Sequence, residues 1–305
     1  MAGRKRQDPK VIEALRQSRA RRRMNDAIEA GEIPQPKEVP PGGKRLCVGT
    51  IFPNCNELSR QWLDLQLRYL KSSTSVDYTH ISVVQEGNIS AFFENNTTVI
   101  RPKGKINKNS MAHVRGLETL RDHYVGNVNN CEFFLFIDMD AFPIRKDWFD
   151  ILTGKMTNRN YEIAVILRPE NLEQRLHSSV LLSRHNIVPH LRWGVNRIGH
   201  DLIGGNESDV HLMSHQTGGA RNKSFVLLRS NKCQIHPLLC GVYYDLFYHH
   251  GCGSGRNFNM RARPYWAHMI PAKFDVMGTI DDLMDHPNEF IGQLTGWEKT
   301  TYAQV

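Results

Sequence analysis

No stretch of this sequence approaches the roughly 18 consecutive apolar residues that a membrane-spanning helix requires. The N-terminus is polar and basic, and it lacks the apolar segment of a secretory signal. The six cysteines include no Cys-x-x-Cys pair of the kind that zinc sites use. We therefore expect a protein without a transmembrane segment, located in the cytoplasm, with its cysteines as reduced thiols.

The body of the chain also lacks an excess of basic charge, because most of the positive charge is confined to the N-terminus. Residues 1–45 contain twelve Lys or Arg and six Asp or Glu, which accounts for six of the eight net positive charges. A Pro- and Gly-rich linker ends near residue 44. The predicted divisions are a basic tail with its linker at 1–44, a main domain at 45–265 and a C-terminal extension at 266–305.

The basic tail has two interpretations, and the sequence leaves both open. The first is a solvated or partly helical arm without a partner. The second is an electrostatic contact of residues 4–23 with nucleic acid or another anionic surface.

The most informative segment is a short apolar run that ends in two carboxylates. Phe133–Ile137 is too short for a helix and rich in β-forming residues, so it predicts a buried strand. Asp138 and Asp140 follow it directly. Open α/β sheets bind ligands at the carboxyl ends of their strands, and carboxylate oxygens suit Mg²⁺ or Mn²⁺. The pair therefore predicts a divalent metal site, with a helix cap or a solvent-exposed pair as the alternative.

Strands and helices alternate along the chain from residue 46 onward. This alternation predicts an α/β fold with a mostly parallel central sheet flanked by helices. The predicted strands are Leu46–Phe52, His80–Val84, Thr97–Ile100, Phe133–Ile137, Ile163–Leu167, Val180–Leu182 and Phe225–Leu228, and the predicted helices are Glu57–Lys71 and Ser110–Tyr124.

Polar residues collect where the predicted strands end and where the helices begin. This rim is where nucleotides and phosphates bind in parallel sheets. Together with the Asp pair, they predict a site for a base, a ribose and a diphosphate. The residues expected to contact this ligand are Thr50, Phe52, Asn54, Glu86, Asn109, His113, Arg115 and Asp138.

Three motifs give the sequence a family resemblance over about residues 46–255. They are KNSMAHVRGL at 108–117, FLFIDMDAFP at 134–143 and VYYDLFYHHGCGS at 242–254. In their order and character they resemble the motifs of GT-A-fold glycosyltransferases, closest in style to the family 2 type. The resemblance implies a Rossmann-like GT-A domain that uses a nucleoside-diphosphate sugar as donor and a glycan or other hydroxyl group as acceptor.

The resemblance also implies a Mn²⁺ or Mg²⁺ ion held by Asp138, Asp140 and a late histidine. His250 is the preferred third ligand and His249 the alternative, because two adjacent histidines can point in opposite directions. For the general base that an inverting transfer requires, Asp201 is the leading candidate. A helix cap is its alternative role, and Asp209 and Glu207 are nearby substitutes. The polar and aromatic segment 168–200, which includes His177, is expected to contact the acceptor.

Two other functions compete with glycosyl transfer. A nucleotidyltransferase also uses a metal bound by aspartates, but it typically has a Gly-rich phosphate loop after the first strand, and residues 50–56 contain no glycine. A nucleic-acid-binding protein would act through the basic tail, although the body of the chain has no basic stripe. A combination also remains open, in which a glycosyltransferase uses a polyanionic acceptor.

Overall fold

The computed structural model describes residues 45–87, 97–102, 110–128, 130–167, 176–191, 193–194, 209–210, 224–236, 239–251, 275–297, 303 and 305. The predictions for the basic tail and for Asn109, Asp201 and Glu207 lie outside the described residues.

The described residues contain twelve strands, five α-helices, a π-helical turn and a 3₁₀ turn. The strands are β1 (Leu46–Phe52), β2 (Tyr78–Val84), β3 (Thr97–Ile100), β4 (Phe133–Asp138), β5 (Ala141–Pro143), β6 (Ile163–Leu167), β7 (Leu176–Arg184), β8 (Trp193–Gly194), β9 (Asp209–Val210), β10 (Ser224–Leu227), β11 (Gly241–Tyr243) and β12 (Phe247–His249). The helices are α1 (Glu57–Ser73), α2 (Ser110–His123), α3 (Trp148–Asn158), α4 (Val276–Asp285) and α5 (Pro287–Thr295), with the π-helical turn at Tyr124–Val128 and the 3₁₀ turn at Val188–His190.

The central sheet has the strand order β10–β6–β7–β4–β1–β2–β3. The strands β3, β2, β1 and β4 are parallel to one another, and β10 is parallel to β6. The predicted α/β fold, with a mostly parallel central sheet flanked by helices, is confirmed. A second sheet of three antiparallel strands has the order β11–β12–β5 and continues directly from β4 through a tight turn.

Strand β7 runs antiparallel to both of its neighbours, β4 and β6, which the alternation of strands and helices did not predict. The chain between β6 and β7 spans residues 168–175. Such a link is shorter than the dozen or more residues that a parallel crossover needs. The reversal therefore follows from the length of the connection. The sequence did not show it, because the predicted strand Val180–Leu182 left twelve residues after Leu167, whereas β7 begins at Leu176.

The two faces of the central sheet are covered by different helices. Phe134 and Phe136 on β4 pack in a cluster with apolar residues of α2. Phe133 and Leu135, which point to the opposite face, pack with residues of α3. By the same alternation Asp138, the last residue of β4, points to the α2 face.

Helix α1 shows how the sequence specifies an element that borders the site. Asn56 caps its N-terminus by accepting a hydrogen bond from the backbone N–H of Ser59 at 2.8 Å. Its buried stripe includes Trp62 and Tyr69, which join a cluster with residues of β5, β12, α4 and α5. Gln66 lies on the same stripe and is fully buried, although it is polar.

The two C-terminal helices share a hydrophobic core with α1, β5 and β12. Ile280 of α4 and Phe290 of α5 pack in the cluster that contains Trp62 of α1. The backbone N–H of Ala303 donates to the carbonyl of Ile144 at 2.7 Å, next to β5. Among the described helices, none combines the length and the apolar character of a membrane span.

A buried histidine predicts how the stability of the fold depends on pH. Burial lowers the pKa of His80 from its ordinary 6.5 to about 4. The unfolded chain therefore takes up a proton near pH 6.5, whereas the folded chain does so only near pH 4. Between these values the free energy of unfolding should fall as the pH falls, with His80 contributing a loss of about 2 to 3 kcal/mol.

Chemical denaturation at pH 7 and pH 4.5 measures this loss. We expect His80→Gln to lose less stability than the wild type between these two pH values, because glutamine has no titrating group. Equal losses in the two proteins would contradict the assignment of the titration to His80.

Candidate metal centre

Three ligand-bearing side chains converge where the central sheet meets the small sheet. Asp138 ends β4, Asp140 lies in the following turn, and His249 ends β12. Nε2 of His249 lies 3.7 Å from Oδ2 of Asp138 and 3.7 Å from Oδ1 of Asp140. One ligand atom from each residue lies within 4.8 Å of the other two. The pairing of β12 with β5 brings them together, since His249 is the register partner of Ala141.

The donor set fits a divalent ion such as Mn²⁺ or Mg²⁺. Around an octahedral ion with bonds of about 2.1 Å, neighbouring and opposite ligand atoms lie about 3.0 and 4.2 Å apart, and the 3.7 Å distances fall between these limits. The side chains of His249 and Asp140 are 5% and 8% exposed, whereas that of Asp138 is 19% exposed. One side of the cluster therefore remains accessible to a ligand.

A second histidine holds the Asp138 carboxylate. Nε2 of His113, on α2, lies 2.9 Å from Oδ1 of Asp138. Burial by itself would raise the pKa of Asp138, but the neighbouring His113, His249 and His177 outweigh it and hold that pKa well below its ordinary value. The carboxylate is therefore ionised at neutral pH, which metal binding requires.

Helix α2 carries His113 to the rim because it packs unusually close to the sheet. A Cβ atom on Gly116 would lie only 2.8 Å from Cγ2 of Ile51 and 3.1 Å from Nε2 of Gln85, so only glycine fits there without displacement. The Gln85 amide donates to the carbonyl of Ala112, next to His113. The start of α2 is thus tied to the end of β2, where Gln85 lies.

A third histidine lies beside the cluster. His177, on β7, is 3% exposed, and its ring centroid lies 6.1 Å from that of His249. Its Nδ1 accepts a hydrogen bond from the backbone N–H of Ser179 at 3.1 Å. This contact within its own strand holds the His177 ring beside His249.

The sequence favoured His250 as the third ligand, but the structure brings His249 to the aspartates instead. The buried His250 ring packs against Trp62 with 5.4 Å between ring centroids, and its Nδ1 lies 2.6 Å from the Tyr248 hydroxyl. Successive residues of an extended chain point to opposite sides. His249 therefore faces the carboxylates, while His250 faces α1.

Two of the predicted nucleotide contacts are not supported, because their side chains are fully buried. The Thr50 hydroxyl donates to Oε1 of Gln66 at 2.8 Å, inside the fold. Phe52 packs in the apolar cluster that contains Trp62. Both residues lie on β1, and the covering helices bury its whole length.

The other predicted contacts lie at the rim with different surroundings. Oδ1 of Asn54 accepts from the backbone N–H of Asn56 at 3.3 Å and from the Ser59 hydroxyl at 3.0 Å, so it stabilises the start of α1. Glu86 and Arg115 are exposed, and their contact with a nucleotide stays a prediction.

Neither a protein-family model nor a curated protein sequence matches the chain. Several solved structures do resemble it. Three of them are glycosyltransferases.

The galactosyltransferase LgtC, solved with donor and acceptor sugar analogues, is 9% identical with a TM-score of 0.38, over 59% of this chain and 72% of that chain. Glucosyl-3-phosphoglycerate synthase from Mycobacterium tuberculosis, in complex with Mn²⁺, UDP-glucose and phosphoglyceric acid, is 14% identical with a TM-score of 0.37, over 61% and 70%. The mannosyltransferase PcManGT from Pyrobaculum calidifontis, in complex with GDP-Man and Mn²⁺, is 11% identical with a TM-score of 0.38, over 66% and 60%.

The geometry predicts that Mn²⁺ stabilises the protein through His249 and not through His250. Saturating Mn²⁺, at 100 times its dissociation constant, should stabilise the wild type by about 2.7 kcal/mol. His249→Gln removes an imidazole ligand, so it should lose this increment. His250→Gln should keep it, even if the variant starts from a lower melting temperature.

Thermal melting with and without Mn²⁺ measures the increment for each protein. Loss of the increment in the His250 variant and its retention in the His249 variant would overturn the assignment of the ligands.

Proposed function

We propose that this chain is a metal-dependent glycosyltransferase that moves a sugar from a nucleoside-diphosphate sugar to an acceptor hydroxyl. The observation that carries the proposal is the convergence of Asp138, Asp140 and His249 at the carboxyl edge of the parallel strands. Open α/β sheets bind nucleotides at that edge, and two carboxylates with one imidazole suit an ion that binds phosphate oxygens.

The side chains of the site would have different roles in such a transfer. A bound Mn²⁺ or Mg²⁺ would neutralise charge that develops on the leaving diphosphate. Asp138, Asp140 and His249 would hold this ion, and His113 keeps the Asp138 carboxylate oriented through its 2.9 Å hydrogen bond. His177, whose ring centroid lies 6.1 Å from that of His249, would contact the acceptor.

Further parts of the proposal come from the sequence. Asp201 acts as the general base that deprotonates the acceptor hydroxyl, which makes the reaction inverting. Glu86, Asn109 and Arg115 contact the nucleotide from the rim. The acceptor is a glycan or another hydroxyl compound, a polyanionic one included, with residues 4–23 as the contact to the anionic partner. The expected compartment is the cytoplasm.

The first test is slow hydrolysis of the donor without acceptor, assayed over a set of nucleoside-diphosphate sugars with Mn²⁺ present. We expect release of free sugar and nucleoside diphosphate from one donor. Asp140→Asn removes a metal-ligating carboxylate and should lower the rate by roughly 100-fold or more. Asp147→Asn is the matched control, because Asp147 is an exposed carboxylate that pairs with Arg145 outside the cluster.

The products and the control decide the outcome. Release of nucleoside monophosphate or pyrophosphate instead would indicate nucleotidyl transfer. Equal hydrolysis rates for Asp140→Asn and Asp147→Asn would show that the metal cluster takes no part in the reaction.

The role of Asp201 has its own test once an acceptor is known. Asp201→Asn should lower the transfer rate by roughly 100- to 10,000-fold, as the loss of a general base does, while donor affinity stays unchanged. Rates measured across pH 5 to 9 with both proteins provide the check. A variant with full transfer activity would exclude Asp201 as the base.

A further inference from the structure

We propose that Gln66 is a positioning residue for the metal centre, whose side-chain amide fixes the turn that carries Asp138 and Asp140. This inference rests on the proposed metal-dependent function. Gln66 lies on α1, is fully buried and hydrogen-bonds to backbone carbonyls of the turn. It would act through the backbone of the turn.

The Gln66 amide spans the turn from one end to the other. Its Nε2 group donates to the carbonyl oxygen of Asp138 at 2.9 Å and to the carbonyl oxygen of Ala141 at 2.7 Å. These two carbonyls flank Met139 and Asp140. One planar amide group with two N–H donors therefore sets the distance between the end of β4 and the start of β5.

The orientation of this amide is fixed by its other partners. Oε1 of Gln66 accepts from the Thr50 hydroxyl at 2.8 Å and lies 3.4 Å from Nε2 of His80. Thr50 Oγ1 and His80 Nε2 are themselves 3.1 Å apart. A flipped amide would place its oxygen against two carbonyl oxygens, which can only accept hydrogen bonds. The Thr50–His80 pair on β1 and β2 thus locks the donor group toward the turn.

The opposite side of the turn is held by the strand that supplies the third ligand. The backbone N–H of His250 donates to the carbonyl of Asp140 at 2.9 Å, one residue beyond His249. The turn is therefore hydrogen-bonded on one side to the Gln66 side chain of α1 and on the other side to the backbone that follows β12. Without Gln66 the hydrogen bonds that join the carbonyls of Asp138 and Ala141 across the turn would be lost, and the separation of the two carboxylates would be fixed less tightly.

A glutamine at this position is unexpected on packing grounds alone. Gln66 lies four residues after Trp62 and four before Leu70, both fully buried on the same helix face. An apolar residue would fill that stripe without the cost of burying an amide. The hydrogen bonds to the turn offset this cost, which links the residue to the geometry of the site.

The test compares two variants, Gln66→Met and the control Thr153→Val. For each protein, electron paramagnetic resonance measures the dissociation constant of Mn²⁺, and unfolding by denaturant measures the stability. Methionine keeps the length and volume of the side chain but has no amide. Thr153 is a buried residue of α3 whose hydroxyl donates to the Phe149 carbonyl of the same helix at 2.8 Å. We expect Gln66→Met to weaken Mn²⁺ binding roughly 10- to 100-fold, and Thr153→Val to leave it unchanged although it destabilises the fold.

Wild-type affinity for Mn²⁺ in folded Gln66→Met would overturn the proposal, and so would equal weakening in both variants. If Gln66→Met does not fold, Thr50→Val takes its place. It removes only the hydroxyl that orients the amide, and an affinity no weaker than that of Thr153→Val would overturn the proposal.

A wild type that binds Mn²⁺ but no nucleoside-diphosphate sugar would contradict the proposed function and leave this test intact. A wild type that does not bind Mn²⁺ would overturn both.

Discussion

The site depends on one backbone constraint, the turn in which the chain leaves the parallel sheet and enters the small antiparallel sheet. Only Met139 and Asp140 separate β4 from β5. Asp138 therefore faces helix α2 and its histidine, while the pairing of β5 with β12 places His249 next to the same turn. Elements that are far apart in sequence reach one point because both sheets share this turn.

The same turn is electrostatically unfavourable unless positive charge compensates the repulsion between its two carboxylates. Asp138 and Asp140 bring two carboxylates together in a largely buried place, where like charges repel strongly. His113 and His249 lie within 2.9 to 3.7 Å of these carboxylates and offset part of the repulsion. A divalent cation would offset it more completely, so the carboxylates favour an ion at this position as well as fit one in geometry.

The sequence specified the elements that bury regular apolar patterns, including β1, β3 and β6 with their observed bounds. Asp138 and Asp140 were also recognisable, because two carboxylates after a buried strand have few structural explanations. The sequence could not show whether His249 or His250 is the third ligand, because that depends on which side of β12 faces the turn. Gln66 was visible in the sequence as a polar residue within an apolar helix stripe. Its role could not be predicted, because its partners, the carbonyls of Asp138 and Ala141, lie 72 and 75 positions later in the chain.

The central claim is that Asp138, Asp140 and His249 form one metal site that binds a nucleoside diphosphate. The most direct measurement is anomalous X-ray diffraction at the manganese edge, on crystals grown with Mn²⁺ and a nucleoside diphosphate. The account predicts a single strong peak about 2.0 to 2.3 Å from one oxygen of each aspartate and from Nε2 of His249, with phosphate oxygens completing the coordination. A peak elsewhere, or a nucleotide bound without manganese at these residues, would contradict it.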